Sequence, residues 1–158
     1  MKKVFVSLVI ISLWVTQFSV VSAIAEPLKT FDNNSLRGRY SYLLSGNFAA
    51  GLAGTIVEVG VFESDGNGLI VGEGTAVVDG EASPPVTYDC TYSVNPNGRA
   101  DVNCDRTITP PLPVTPLTLE VSFSLSLGDN GKEVRFTANP ANDPPFDVVS
   151  ITGTARKQ

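Results

Sequence analysis

The longest unbroken alternation in the chain runs from Pro116 to Leu127, PLTLEVSFSLSL. Leu117, Leu119, Val121, Phe123, Leu125 and Leu127 fall on one parity; Thr118, Glu120, Ser122, Ser124 and Ser126 fall on the other. Successive strand side chains point to opposite faces, so a period of two predicts a strand with one dry and one wet face. The same template, with less regularity, predicts strands over 38–45, 55–64, 68–78, 86–94, 100–108, 117–127, 133–138 and 146–156. Between them stand GNFAAG, SDGNG, DGEASPP, NPNG, TPPLPVTP, GDNGK and NPANDPP. Glycine supplies positive φ in such turns, proline presets φ, and Asn or Asp bonds its own backbone.

Short links make sequential strands neighbours in an antiparallel meander. An open eight-stranded meander leaves two bare edges, and closing the sheet removes them. The expected fold is therefore all-β, an eight-stranded antiparallel up-and-down barrel whose last strand, VVSITGTARK, pairs with the first, GRYSYLL. A two-sheet β-sandwich is the alternative. Residues 26–36, EPLKTFDNNSL, lack alternation and read as an extended or capped lead-in, with Leu28 and Phe31 placed to plug one barrel end. The expected division is 1–25 as a signal peptide, 26–36 as the lead-in and 37–158 as one barrel domain.

The only two cysteines, Cys90 and Cys104, flank NPNG. With Pro96 to Gly98 as a three-residue hairpin loop and Gly98 left-handed, Asn95 faces Arg99, Tyr92 faces Val102, and Cys90 faces Cys104. Counting outward places the cysteines at a non-hydrogen-bonded pair, where Cα atoms stand about 4.5 Å apart. That spacing is within the range a disulfide accepts, about 4.4–6.8 Å. A redox pair would need Cys-x-x-Cys at a helix start, and a zinc site needs more soft ligands than a chain with no histidine provides. The pair reads as a structural disulfide.

Lys2 and Lys3 precede an apolar run over 4–15, and Ala23-Ile24-Ala25 supplies a small-residue cleavage point. This pattern predicts export, to the periplasm or the medium of a bacterium. No other apolar run approaches the roughly 20 residues of a bilayer span, so the mature chain is expected to have no transmembrane segment. Losing the two lysines takes the formal net charge of −5 to −7 over 133 mature residues. An acidic domain without a basic stripe is a poor partner for nucleic acid.

Without histidine, Ser-His-Asp and Cys-His arrangements, zincin motifs and haem ligation by histidine are excluded. No metal and no cofactor is expected. SDGNG offers Asp65 and Asn67 where a calcium loop begins, but Leu69 and Ala76 occupy ligand positions, so a turn is the reading. The glycines of DGNGLIVGEG lie in a hairpin, where they serve turn geometry. Asp89, Asp101 and Asp105 share the face opposite the cysteines, with Asp89 facing Asp105. Two carboxylates suit glycoside hydrolysis, yet that face is the wet exterior.

The inner face is aromatic. Tyr40, Tyr42 and Leu44 line the first strand and Tyr88 and Tyr92 the fourth, with Phe123, Phe136 and Phe146 following. Eight strands enclose an interior either filled by side chains or holding one small ligand. The candidate ligand-lining residues are Tyr40, Tyr42, Tyr88, Tyr92, Phe123 and Phe136; no residue is assigned a catalytic role.

SLRGRYSYLLSG, VGVFESDGNGLIVGEG, TYSVNPNGRADV and ITGTARKQ together resemble a family of exported bacterial proteins. Its members open on a Leu-Arg-Gly-x-Tyr strand, carry a Phe-x-x-Asp-Gly-x-Gly hairpin and end near Gly-Thr-Ala-Arg. The resemblance implies an eight-stranded barrel of the calycin or allene-oxide-cyclase type and carries no activity with it. The lipocalin Gly-x-Trp signature is replaced by Gly38-Arg39-Tyr40.

Three functions are expected from these residues. The first is a non-enzymatic exported barrel that binds a small apolar ligand in its interior. The second is a cyclase- or isomerase-like barrel enzyme, which requires a polar group such as Glu58, Glu73 or Arg106 inside the cavity. The third is a surface or assembly protein binding partners through the barrel exterior, which requires an exposed apolar patch.

Overall fold

The computed structural model describes residues 29–48, 54–109, 113, 115–138 and 148–158. Residues 1–25, expected to be a signal peptide, and Leu28 and Phe146 lie outside them. The strands are β1 (Gly38–Phe48), β2 (Gly54–Ser64), β3 (Leu69–Val78), β4 (Glu81–Ala82), β5 (Val86–Val94), β6 (Arg99–Ile108), β7 (Leu117–Gly128), β8 (Glu133–Ala138) and β9 (Val148–Lys157). All pairings are antiparallel, in chain order, and β9 returns to pair with β1. The result is a closed eight-stranded barrel with β4 as a short addition, and the sandwich alternative is displaced.

Turn chemistry sets the registers. Asn95 N–H donates to Arg99 O at 2.7 Å, Gly98 sits at φ 81°, and Cys90 faces Cys104 as the three-residue loop requires. The cysteines form a disulfide with a Cα separation of 4.0 Å, tighter than the ideal pair spacing. The strand pattern of the sequence does not announce β4. Asp79 and Gly80 both take positive φ, 51° and 85°, the pattern of a two-residue type I′ turn. Glu81 and Ala82 therefore fold back onto Val78 and Val77.

The lead-in closes the end of the barrel opposite the termination of β1, β3, β6 and β8. Asp32 caps a short 3-10 turn over Asn33–Leu36, accepting from Ser35 N–H at 2.9 Å. Leu36 is fully buried and Phe31 packs against the core. Asn33 Oδ1 accepts from Val94 N–H at 2.8 Å, and Tyr92 Oη donates to Asn33 O at 3.0 Å. A second 3-10 turn, Asp129–Gly131, receives the Tyr40 hydroxyl on Gly131 O at 2.5 Å.

On β2 the alternation inverts the usual order. Val57 and Val59 face outward and are exposed, while Ile56, Glu58 and Ser64 face inward. With Leu43, Val71 and Val77 they put an apolar patch on the outer face of β1–β3, through the direct pairs Leu43–Val59 and Val57–Val77. Elsewhere the outward positions of β5 to β8 carry Asp, Asn, Ser and Thr with occasional Glu and Arg.

Candidate functional site: a buried Glu–Arg–Tyr cluster beside an apolar cavity

Directly opposed residues share a face of the sheet, so the pairings name the inner rows. One runs Tyr42–Gly60–Gly74–Val86; the next runs Tyr40–Phe62–Gly72–Tyr88–Arg106. Glu58 stands one inward step from Gly60, between Leu44 and Ala76. Large side chains on β1, β5 and β6 thus look across a β3 whose inward positions are Gly72, Gly74 and Ala76.

These glycines leave space that larger side chains fill. A Cβ at Gly74 would collide with the Tyr42 hydroxyl and lie 2.9 Å from Glu58 Oε1; one at Gly60 would lie 2.6 Å from the Tyr42 ring. Only Gly66 and Gly68, at φ 79° and 120°, serve the β2–β3 turn. The turn reading for the whole DGNGLIVGEG run is corrected: Gly72 and Gly74 make room for inward side chains.

In that room four polar side chains converge. The Tyr42 hydroxyl donates to Glu58 Oε1 at 2.6 Å and the Tyr88 hydroxyl donates to the same oxygen at 2.7 Å. Arg106 Nη2 donates to Glu58 Oε2 at 3.0 Å, and Arg106 Nε donates to the Tyr88 oxygen at 3.0 Å. The side chains of Glu58 and Arg106 are 0 % and 13 % exposed. The Arg106 guanidinium also lies 5.8 Å from the Tyr88 ring centre, within cation–π range.

Burial and the adjacent Glu58 charge push the Tyr42 hydroxyl well above its ordinary range. Burial raises Tyr88 as well, with Arg106 pulling it down and Glu58 pushing it up. For Arg106, burial acts to lower the value, but Tyr88 and Glu58 outweigh it and leave it raised. At neutral pH both phenols are protonated donors.

Beside the cluster, sharing Tyr42 and Tyr88 with it but lined by neither Glu58 nor Arg106, lies a cavity of ≈ 70 Å³. Tyr42, Leu44, Phe62, Tyr88, Val102, Phe123 and Phe136 wall it, and the Cys90–Cys104 disulfide forms part of the wall. It is about half the size of the roughly 150 Å³ apolar cavities that admit benzene. The structure therefore brings four of the six candidate ligand-lining residues, Tyr42, Tyr88, Phe123 and Phe136, onto one cavity. Tyr40 and Tyr92 are placed elsewhere, at the closed end, where Tyr92 accepts from Ser64 Oγ at 2.8 Å. Of the three interior polar candidates, Glu58 and Arg106 point inward. Glu73 is exposed, because β3 parity puts Ile70, Gly72 and Gly74 inside.

The other motifs resolve as turns or surface. Asp65 Oδ1 accepts from the N–H groups of Asn67, Gly68 and Leu69 at 2.7, 3.1 and 3.0 Å, which holds its carboxyl below the usual range. The loop's own backbone occupies that oxygen. Asp89, Asp105 and Glu120 stand opposite one another on the outer face. Among the described residues no group of three or more His, Cys, Asp or Glu could hold a metal ion. Also among them, no helix is long and apolar enough to cross a membrane.

No family model, no curated protein and no solved structure matches the chain.

Proposed function

We propose that this chain is an exported, non-enzymatic barrel of calycin-like type that binds a small, mostly apolar molecule in its interior. The observation that carries the reading is the shared boundary of two environments. The rings of Tyr42 and Tyr88 wall an apolar cavity, while their hydroxyls join a buried ion pair. Pockets that orient small molecules combine an apolar wall with a few convergent polar groups. The charged n-region, apolar run and small-residue cleavage point support export, and a disulfide suits an oxidising compartment. Native mass spectrometry of the mature chain isolated from its host tests the reading. A small molecule released on denaturation supports it; a chain at bare mass whose interior takes up no xenon overturns it.

A second reading, a cyclase- or isomerase-like enzyme acting by shaping its substrate, is favoured by the inward placement of Glu58 and Arg106. Incubating the released molecule with fresh protein separates the two. Chemical conversion that is lost in Glu58→Gln supports the enzyme, and recovery of the molecule unchanged supports the binder.

A further inference from the structure

The outer face of β1 and β2 carries a pattern organised about the line between the two strands. In its apolar centre Leu43 pairs with Val59 and Ser45 with Val57. Toward the closed end Ser41 pairs with Val61, flanked by Arg156 on β9 and Glu73 on β3, and the row beyond pairs Arg39 with Glu63. Directly opposed residues share a face, so in both rows the arginine lies on the β9–β1 side and the glutamate on the β2–β3 side. All four charged side chains are exposed, and none makes an ion pair among the described residues.

A twofold axis laid along that line turns a second copy face to face with the first and exchanges its two sides. Arg39 then stands over Glu63 of the second copy, Arg156 over its Glu73, and Leu43 over its Val59. Each contact occurs twice, as an isologous interface requires. An axis across the strands at Leu43–Val59 would instead set Arg39 and Glu63 over the uncharged pair Asn47–Thr55. Charge therefore selects the first arrangement. Sheets packed face to face run within about 30° of each other and about 10 Å apart, a gap that facing Arg and Glu side chains span.

Area and net charge also suit a second copy. Leu43, Val57, Val59, Val71 and Val77 are between 41 % and 55 % exposed. Together they present on the order of 400 Å² of apolar surface, the size at which patches on soluble proteins mark association. A standard interface takes about 800 Å² from each partner, with an apolar centre inside a polar rim. Copies of a chain with net charge −5 repel each other, but two arginines against two glutamates leave this face locally neutral.

We propose that the chain forms a twofold dimer through the outer face of β1 and β2, with Arg39 on Glu63 and Arg156 on Glu73 across the axis. The surface lies outside the barrel and is independent of what the interior binds.

Sedimentation of the full mature chain through the micromolar range tests it, and a reversible dimer is expected. Val59→Asp puts a carboxylate in the apolar centre at an outward position; it should keep the barrel's circular dichroism and weaken association at least tenfold. Two charge variants test the geometry: Arg39→Glu with Arg156→Glu, and Glu63→Arg with Glu73→Arg. Each alone sets like charges across the axis and should be monomeric, whereas an equimolar mixture should recover the dimer. A wild-type chain that stays monomeric overturns the proposal, whether the patch then takes up lipid vesicles or a different protein. A dimer untouched by Val59→Asp, or charge variants that do not associate on mixing, overturns it too. If a charge variant loses the barrel, the wild type and Val59→Asp decide alone.

Discussion

Glu58 and Arg106 meet at 3.0 Å inside the barrel although β3 and β5 separate their strands. The contact spans that distance because β3 presents Gly72 and Gly74 to the interior, so nothing branches into the path of the two long side chains. Taking two charges out of water is costly, and a buried pair returns that cost only with good geometry and saturated partners. Here the carboxylate is saturated by two tyrosines and the arginine.

The glycines should behave as a graded series. Gly74→Ala places a methyl against the Tyr42 hydroxyl and Glu58, and is expected to destabilise by about 1–3 kcal/mol. Gly72→Ala meets Phe62 Cβ and Val61 O only at 3.1 Å and should cost distinctly less. Urea midpoints of the two variants check the order; equal midpoints would place Tyr42 and Glu58 elsewhere.

Breaking the pair from one side leaves a buried charge alone. Arg106→Met is expected to lower stability by about 3 kcal/mol or more, measured by urea unfolding at neutral pH. A loss under about 1 kcal/mol, the range of exposed pairs, would mean that the pair is wet.

All four tyrosines of the chain are inward-facing and buried: Tyr40, Tyr42, Tyr88 and Tyr92. Each is shifted upward, Tyr40 to about 12 by burial with Tyr92 adding to it. A phenol raised from 10 in the unfolded chain contributes stability that is fully present below pH 10 and is lost as pH rises through the folded value. A spectrophotometric tyrosine titration should therefore be silent near pH 10 and then rise together with loss of folded circular dichroism, by about pH 12. Ordinary ionisation at pH 10 in a folded chain would contradict the burial.

The disulfide staples a hairpin whose register the turn already sets. Its cysteines are 14 residues apart, and closing a loop of that size stabilises by about 3 kcal/mol in the chain-entropy model. Cys90→Ala with Cys104→Ala should lose about that amount while retaining the barrel's circular dichroism. Loss of the barrel itself would mean that the staple, and not Asn95–Arg99 with Gly98, fixes the pairing.

The barrel, its closure and the cysteine register are legible in the sequence because turn residues and period-two patterns are local signals. β5 to β8 follow the ordinary rule, polar side out, and their faces are readable. β2 does not: its valines face out and Glu58 faces in, so hydrophobic alternation alone points the wrong way. The parity is recoverable only through pairing, since Gly72 opposes Tyr88, which must share a face with Cys90 and thus puts Glu73 outside. Glu58 and Arg106 stand out in the sequence only as separate polar candidates; their contact depends on two intervening strands and no local pattern encodes it. The small residues of β3 are the available signal, and they resemble turn glycines until the strand is placed between two rows of large side chains.

The most direct test replaces both charges at once with apolar side chains of similar length, Glu58→Met with Arg106→Met. If the pair is kept for ligand recognition and not for stability, the double variant should unfold at a urea concentration no lower than the wild type, as apolar replacement of buried pairs often allows. Isolated from the host, it should carry no small molecule in a native mass spectrum that shows one on the wild type. A double variant that retains the bound molecule at wild-type occupancy would contradict the reading that the interior bordered by this cluster binds it.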